Sequence, residues 1–168
     1  LMRFYNDKDI TTLLLINPDN PSGNYIKKED VLKIAKWSQE KGITFIVDES
    51  FVDFVDIEES GTLLEEKILE RYPKMIIIKS ISKSFGVPGL RLGILASYDS
   101  ELIDFLKRDV AIWNINSFGE FYMQIFEKYK NDYINAMGEF KKVRKDYIEK
   151  LSSIKNLRVV PSQANYVM

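Results

Sequence analysis

Short apolar runs alternate along the chain with longer amphipathic stretches. The apolar runs are rich in Leu, Ile and Val and predict four strands, at residues 12–16, 44–47, 74–79 and 92–96. The other stretches have apolar residues at helical spacing and predict helices at residues 28–41, 62–71, 99–108, 117–130 and 131–153. This alternation predicts an α/β fold in which crossover helices connect the strands. Because the strands are short and wholly apolar, we expect a mostly parallel sheet covered on both faces.

The C-terminal part of the chain is dominated by the long predicted helix at residues 131–153. Its apolar positions predict a buried stripe that consists of Tyr133, Met137, Phe140, Val143, Tyr147, Leu151 and Ile154. Two short segments after this helix, at residues 157–160 and 165–168, have the composition of strands. We therefore expect the long helix to lead from one lobe of the protein into the start of another.

The composition is that of an ordinary globular protein, but it excludes several kinds of active site. The 168 residues contain no cysteine and no histidine. Disulfides, cysteine nucleophiles, histidine-containing triads and histidine metal sites are therefore excluded within this segment. The net charge is −1 without a basic stripe, and no apolar run is long enough to cross a bilayer. We expect no nucleic-acid or membrane partner, and a cytoplasmic location fits the lack of cysteine.

Three turns that follow predicted strands carry polar residues, and ligands of open α/β sheets bind beyond such strand ends. The first, residues 17–23 (NPDNPSG), has the composition of a tight turn, in which Asn20 is held between constrained residues and can face a ligand. The second, residues 47–51 (VDESF), places Asp48 at the end of an apolar strand. There the carboxylate either caps a turn or neutralises a buried cation, such as a protonated pyridine nitrogen.

The third turn, residues 80–93 (SISKSFGVPGLRLG), has the most specific arrangement. It surrounds Lys83 with three serines and Arg91 in a loop constrained by glycine and proline. Hydroxyl groups and a guanidinium suit a phosphate dianion, and a lysine beside them can form an imine. The alternative is a solvated loop with an ordinary surface lysine, which does not explain the residues around Lys83. A phosphate clamp, an imine-forming lysine and a buried carboxylate are the parts that a pyridoxal phosphate site requires.

These segments resemble motifs of the class I/II aminotransferases, the fold-type I enzymes that depend on pyridoxal phosphate. NPDNPSG resembles their NPxNPTG turn, VDESF their VDEAY segment and SISKSFGVPGLRLG their SxSKxFGxPGLRxG signature. PSQANYVM, at the end of the chain, resembles the PSxANF strand that enters the family's small domain. The resemblance implies the central part of the family's large domain at residues 1–130, a linking helix at residues 131–155 and the start of the small domain at residues 156–168.

The resemblance also implies a role for each candidate residue. Lys83 would hold the cofactor as a Schiff base and then move the proton at the substrate's α-carbon. Asp48 would pair with the pyridine nitrogen, and Asn20 would hydrogen-bond the ring hydroxyl oxygen. The cofactor phosphate would be held by Ser80, Ser82 and Arg91.

Phe51 departs from the family pattern, because it stands where VDEAY has a tyrosine that donates to the ring hydroxyl. The segments DESFVDF and WNINSF are similar to one branch of the family, which holds histidinol-phosphate aminotransferases and threonine-phosphate decarboxylases. The first function that the resemblance implies is transfer of an amino group from an amino acid to a 2-oxo acid. The alternative is decarboxylation of a phosphorylated amino acid with the same cofactor.

Members of the family are substantially longer than this chain and usually work as homodimers. The upstream turn and aromatic ring that hold the cofactor, and the small-domain arginine that binds the substrate carboxylate, have no counterpart in these 168 residues. We therefore expect a fragment that binds the cofactor poorly and turns over little by itself. A non-catalytic α/β module of the same fold is the third interpretation.

Overall fold

A computed structural model of the chain describes residues 1–56 and 61–168. Its first half contains helix α1 (Met2–Tyr5), strand β1 (Thr12–Ile16), helix α2 (Lys28–Glu40), strand β2 (Thr44–Asp48), helix α3 (Glu66–Arg71) and strand β3 (Met75–Ser80). Its second half contains strand β4 (Gly93–Ala96) and helices α4 (Ser100–Asp109), α5 (Ser117–Phe126) and α6 (Lys130–Ser152). Short 3-10 helices lie at Val52–Phe54, Pro88–Leu90 and Glu127–Tyr129.

The four strands form one sheet in the order β1-β2-β3-β4. The pairs β1–β2 and β2–β3 are parallel, and each is joined through a helix, as parallel neighbours require. Strand β4 is antiparallel to β3, because the loop at residues 81–92 returns the chain at the end where β3 finishes. The prediction of a mostly parallel α/β sheet with crossover helices is confirmed.

The main core lies between one face of the sheet and helix α2. It buries apolar side chains from the strands, from α2 and from the connecting segments, namely Leu13, Val31, Ile34, Ala35, Ile43, Phe45, Val47, Leu63, Tyr72, Met75 and Ile77. The opposite face is more open, since Leu14 on β1 is 56% exposed and Leu95 on β4 is 43% exposed. The expectation that both faces are covered is therefore wrong for this second face within the described residues.

The stripe predicted on α6 is buried only in part. Its first half reaches a second, smaller core that consists of Phe51, Phe54, Met137, Phe140, Ala164 and Tyr166. In its second half Val143, Tyr147 and Ile154 are 64%, 53% and 52% exposed, so the predicted stripe is wrong there. The buried side chain of α6 is instead that of Arg144. None of the helices in the described ranges is long and apolar enough to cross a membrane.

The last residues, 157–168, do not form the predicted strands. One backbone hydrogen bond, from the Val160 N–H to Met168 O at 2.7 Å, joins the two segments. The chain between them instead lies on the turn after β1, where the Gln163 N–H donates to Gly23 O at 2.8 Å. The prediction of strands at residues 157–160 and 165–168 is therefore wrong, because the Gln163 N–H between them bonds to a turn and not to a neighbouring strand.

Candidate active site

The three turns that the sequence singles out leave the sheet at one edge. Ile16 lies opposite Asp48, and Asp48 lies opposite Ile78, so β1 and β2 end level with each other and β3 continues for two residues beyond them. This is the carboxyl edge of the parallel strands, where ligands of α/β sheets bind. The structure therefore brings together the segments that carry all the predicted site residues.

The first turn, after β1, is fixed by two of its side chains. The Asn17 amide is 5% exposed, donates to Ile26 O and accepts from the Ile26 N–H. The Asp19 carboxylate accepts from the Ser22 hydroxyl at 2.5 Å. Asn20 is exposed at the tip of this rigid turn. That position suits a side chain that contacts a bound molecule, as the sequence predicts.

Asp48 ends β2 with its side chain half-buried. Its Oδ1 accepts from the Ser50 N–H at 2.8 Å, which is the turn-capping role that the sequence leaves open. The Ser50 hydroxyl accepts in turn from the Ser80 N–H at 3.0 Å and so joins the end of β2 to the end of β3. Capping uses one carboxylate oxygen, and it is therefore compatible with a ligand contact through the other.

Lys83 is exposed, and its amine lies over the ring of Phe51. The distance from Nζ to the ring centroid is 5.3 Å, within the range of a cation–π contact. Phe51 is 6% exposed and contacts Tyr166 edge-on, with 5.2 Å between the ring centroids. Phe51 is therefore a fixed apolar support beneath the Lys83 amine.

Two of the predicted phosphate ligands share one cleft. Ser80 and Arg91 line an open depression beside the end of β3, together with Ser50. The Arg91 backbone is left-handed, with a φ of 56°, and its guanidinium donates a 3.4 Å hydrogen bond to Pro88 O. A bond of that length is weak, so an anion can replace it. Hydroxyl groups and a guanidinium therefore meet at this cleft.

Ser82 is the predicted phosphate ligand whose hydroxyl lies elsewhere. It is 3% exposed, and its hydroxyl donates to Leu92 O at 3.2 Å. This bond closes the loop between β3 and β4. A role for Ser82 at a phosphate stays a prediction, and it requires either a turn of the hydroxyl or a contact through the backbone N–H.

Asp53 and Lys79 form an ion pair that the sequence reasoning does not single out. Asp53 Oδ1 accepts from Lys79 Nζ at 2.6 Å, and Oδ2 accepts from the Ser84 hydroxyl at 2.6 Å. The side chains of Lys79 and Asp53 are only 10% and 19% exposed. A signal was present, because Lys79 ends the apolar run KMIIIK and a largely buried lysine needs a carboxylate partner.

Glu49 is a second missed residue, although it follows Asp48 directly. It is 2% exposed and accepts from the Thr62 hydroxyl at 2.5 Å and from the Leu63 N–H at 2.6 Å. Burial raises the pKa of this carboxyl, and the two hydrogen bonds and the charge of Lys79 oppose the rise. The neighbouring acids thus differ in setting, because Glu49 anchors the chain behind the sheet edge while Asp48 lies at the edge itself.

The chain matches the model of the family described as aminotransferase class I and II over residues 4–168. The chain belongs to this family. It is 38% identical to the L-serine phosphate decarboxylase of Sulfurospirillum multivorans over 99% of this chain and 43% of that protein. It is 32% identical to the L-serine phosphate decarboxylase of Campylobacter jejuni, again over 99% of this chain and 43% of the relative.

Among solved structures, the histidinol-phosphate aminotransferase of Clostridium acetobutylicum superposes with a TM-score of 0.85 at 32% identity. That match covers 99% of this chain and 49% of the other. The expected resemblance to the family, including its histidinol-phosphate branch, is confirmed, and the fold is that of the fold-type I enzymes. The chain spans less than half the length of each of these proteins.

Pyridoxal phosphate is the cofactor of this family. The residues at the carboxyl edge fit it, since a carboxylate, an amine and a hydroxyl-guanidinium cleft lie on the three turns. Of the two lysines at the end of β3, Lys79 is ion-paired with Asp53, whereas Lys83 is exposed over Phe51. Lys83 is therefore the more accessible of these two amines.

Proposed function

We propose that this chain provides part of the cofactor site of an enzyme that decarboxylates a phosphorylated amino acid, with L-serine phosphate as the first candidate. The observation that carries this proposal is the 38% identity to an L-serine phosphate decarboxylase across 99% of the chain. The sequence motifs implied amino transfer first and decarboxylation as the alternative. The identities favour the alternative.

Each candidate residue at the carboxyl edge is assigned to a different group of the cofactor. We assign the aldehyde carbon of the cofactor to the Lys83 amine, its pyridine nitrogen to Asp48 and its ring hydroxyl to Asn20. The phosphate is assigned to Ser80, Ser82 and Arg91. When bound, pyridoxal phosphate supplies an electron sink for the charge that develops on the substrate's α-carbon.

Decarboxylation breaks the bond between the α-carbon and the carboxylate, releases carbon dioxide and leaves a position that must take up a proton. We assign delivery of that proton to the Lys83 amine, which is exposed over Phe51 and becomes free once the substrate's amino group has taken its place at the cofactor aldehyde. In amino transfer the same amine would instead remove a proton from the α-carbon. The residues of this chain therefore suit both reactions, and the choice depends on which substrate bond the complete site holds ready to break.

Family membership also leads us to propose that the enzyme is a cytoplasmic homodimer. A supporting observation is the exposed apolar surface near α5, where Ile112 and Trp113 are 94% and 90% exposed. Apolar surface of this kind is typical of subunit interfaces. A 2-oxo acid is a partner only if the reaction is amino transfer.

The reaction can be tested with the protein at its natural full length, loaded with pyridoxal phosphate. We expect L-serine phosphate to release carbon dioxide and leave the corresponding amine phosphate, without any 2-oxo acid. Lys83→Ala should abolish this release, whereas Lys36→Ala, an exposed lysine of α2, should not change it.

Amino transfer is the second candidate, favoured by the similarity to the histidinol-phosphate aminotransferase. If the loaded protein consumes an added 2-oxo acid and releases no carbon dioxide, amino transfer replaces the proposal. If the protein shows no absorbance change with pyridoxal phosphate, and Lys83→Ala behaves identically, the cofactor assignment itself is wrong.

A further inference from the structure

Asp53 is bound through both oxygens of its carboxylate. Oδ1 accepts from the Lys79 amine and Oδ2 from the Ser84 hydroxyl, each at 2.6 Å. Asp53 lies in the 3-10 helix Val52–Phe54, Lys79 on β3, and Ser84 in the loop that carries Lys83. One side chain therefore joins three separate segments of the carboxyl edge.

The setting of this carboxylate makes its bonds stronger than those of a surface ion pair. The Lys79 and Asp53 side chains are 10% and 19% exposed, so solvent and salt screen them little. Asp30 and Lys33 on α2 make a pair of similar length, 2.7 Å, but their side chains are 54% and 67% exposed. Such an exposed pair contributes little. The two pairs provide a matched comparison within one chain.

The next residue of the loop has an anchor of its own. The Phe85 ring stacks on Tyr133 of α6, with 4.5 Å between centroids and 9° between planes. Burial raises the pKa of the Tyr133 hydroxyl to about 12, with a further contribution from the charge of Asp53. Tyr133 is therefore neutral at physiological pH. Both residues that follow Lys83 are held in place, Ser84 by a carboxylate and Phe85 by a ring.

Lys83 has a long, exposed side chain, so the direction of its backbone determines where its amine can reach. We propose that Asp53 is a positioning residue, which acts through Ser84 to hold the Lys83 loop where the amine meets the cofactor aldehyde. Lys79 neutralises Asp53 and so allows a largely buried carboxylate to do this. The inference rests on the proposed function, because it takes Lys83 to be the cofactor lysine.

The test measures how much of the bound cofactor is linked to Lys83. Pyridoxal phosphate is added to saturation to the protein at its natural full length. The linked fraction is read from visible absorbance, and from borohydride reduction followed by mass spectrometry of the Lys83 peptide. We expect Ser84→Ala to shift the equilibrium away from the link by about tenfold, which corresponds to about 1.4 kcal/mol. Asp53→Asn should lower the linked fraction further. Ser84→Thr, which keeps the hydroxyl, should have the linked fraction of the unaltered protein.

Asp30→Asn makes the same chemical change in the exposed pair and should leave the linked fraction as it is. A merely structural role of Asp53 would lower the melting temperature and leave the linked fraction of the folded protein unchanged, and that result would overturn the inference. If Asp53→Asn does not fold, Ser84→Ala decides the matter alone. If no cofactor is linked to Lys83 in the unaltered protein, both the positioning role and the proposed function are wrong. If Ser84→Ala has the same linked fraction as the unaltered protein, only the positioning role is wrong.

Discussion

At Gly23 two distant parts of the chain come into direct contact. The residue has a φ of +70°, and a Cβ there would lie 2.0 Å from Ser162 Oγ and 2.9 Å from the Ser162 Cα. Because one of those atoms belongs to the backbone, a rotamer change cannot relieve the clash. We expect Gly23→Ala to lower the free energy of unfolding by about 2 kcal/mol or more, measured by urea denaturation.

Gly42 is the matched control for that substitution. Its φ is +72°, but among the described residues no heavy atom beyond its own and those of its two chain neighbours lies within 4 Å of an added Cβ. Gly42→Ala therefore meets only the backbone strain of the left-handed region, about 1 kcal/mol. If the free energy of unfolding falls equally in the two variants, the contact with Ser162 does not restrict the residue at position 23.

The buried carboxyl of Glu49 makes stability depend on pH. Its pKa is about 4.5 when unfolded and is raised by burial when folded, so between these values the folded state binds the proton more tightly. The contribution of Glu49 to stability is therefore present at low pH and is lost as the pH rises through the raised pKa. Relative to Glu49→Gln, which does not titrate, we expect the native protein to lose stability as the pH rises from about 4.5 through the raised pKa of Glu49. Urea denaturation of both proteins across that range measures the difference, and a constant or opposite difference would contradict the prediction.

At the level of elements, the sequence predicted the helices and strands that are defined by a local pattern of apolar residues. Strands β1, β2 and β3 and helix α2 follow from apolar runs and helical spacing, and their predicted bounds agree with the structure to within a residue or so. The second half of α6 could not be predicted in this way. Apolar spacing places Val143 and Tyr147 on one face of the helix, but whether that face is buried depends on segments far away in the chain. Among the described residues, both side chains are exposed and Arg144 is buried instead.

Arg144 holds the C-terminal segment onto the rest of the fold. Its guanidinium is 5% exposed, donates to Ala164 O at 2.9 Å and lies 3.5 Å from the half-exposed Asp56 carboxylate. Arg144→Met leaves Ala164 O buried without its donor, which costs about 1–3 kcal/mol. We expect faster hydrogen exchange at the Gln163 N–H, which bonds to Gly23 O.

Lys145 is the control on the same helix, because its side chain is exposed. Lys145→Met should leave both the stability and the exchange at the Gln163 N–H close to those of the native protein. If exchange is equally fast in the two variants, Arg144 does not hold this segment.

For the molecule as a whole, the sequence predicted where the candidate residues lie better than it predicted the contacts that hold them in place. The order of the three turns placed Asn20, Asp48 and Lys83 at one edge, because parallel strands bring their carboxyl ends together. It did not predict the pair of Asp53 and Lys79, since that contact depends on how two turns face each other after folding. Motifs identify residues that bind a ligand, whereas the residues that hold them in place are defined by packing.

The exposed apolar surface predicts how the 168-residue chain behaves by itself. Ile112, Trp113 and Phe118 are 94%, 90% and 78% exposed, and the second face of the sheet is also open. The chain spans 43% of the serine phosphate decarboxylase that it resembles. We expect the chain alone to bind a hydrophobic dye strongly, because exposed apolar surface of this kind is normally covered. We expect it to bind pyridoxal phosphate weakly, because the cleft lined by Ser80 and Arg91 is open.

Dye fluorescence and absorbance titration with pyridoxal phosphate, on the 168-residue chain and on the protein at its natural full length, measure both effects. Ile112→Lys combined with Trp113→Lys should reduce dye binding by the short chain without affecting its cofactor absorbance, because neither residue lies in the three turns. Strong cofactor binding and full turnover by the 168-residue chain would show that Lys83 and its neighbours form a sufficient site. In that case the open apolar surface would have to serve association between copies of the chain, which sedimentation at several concentrations would detect.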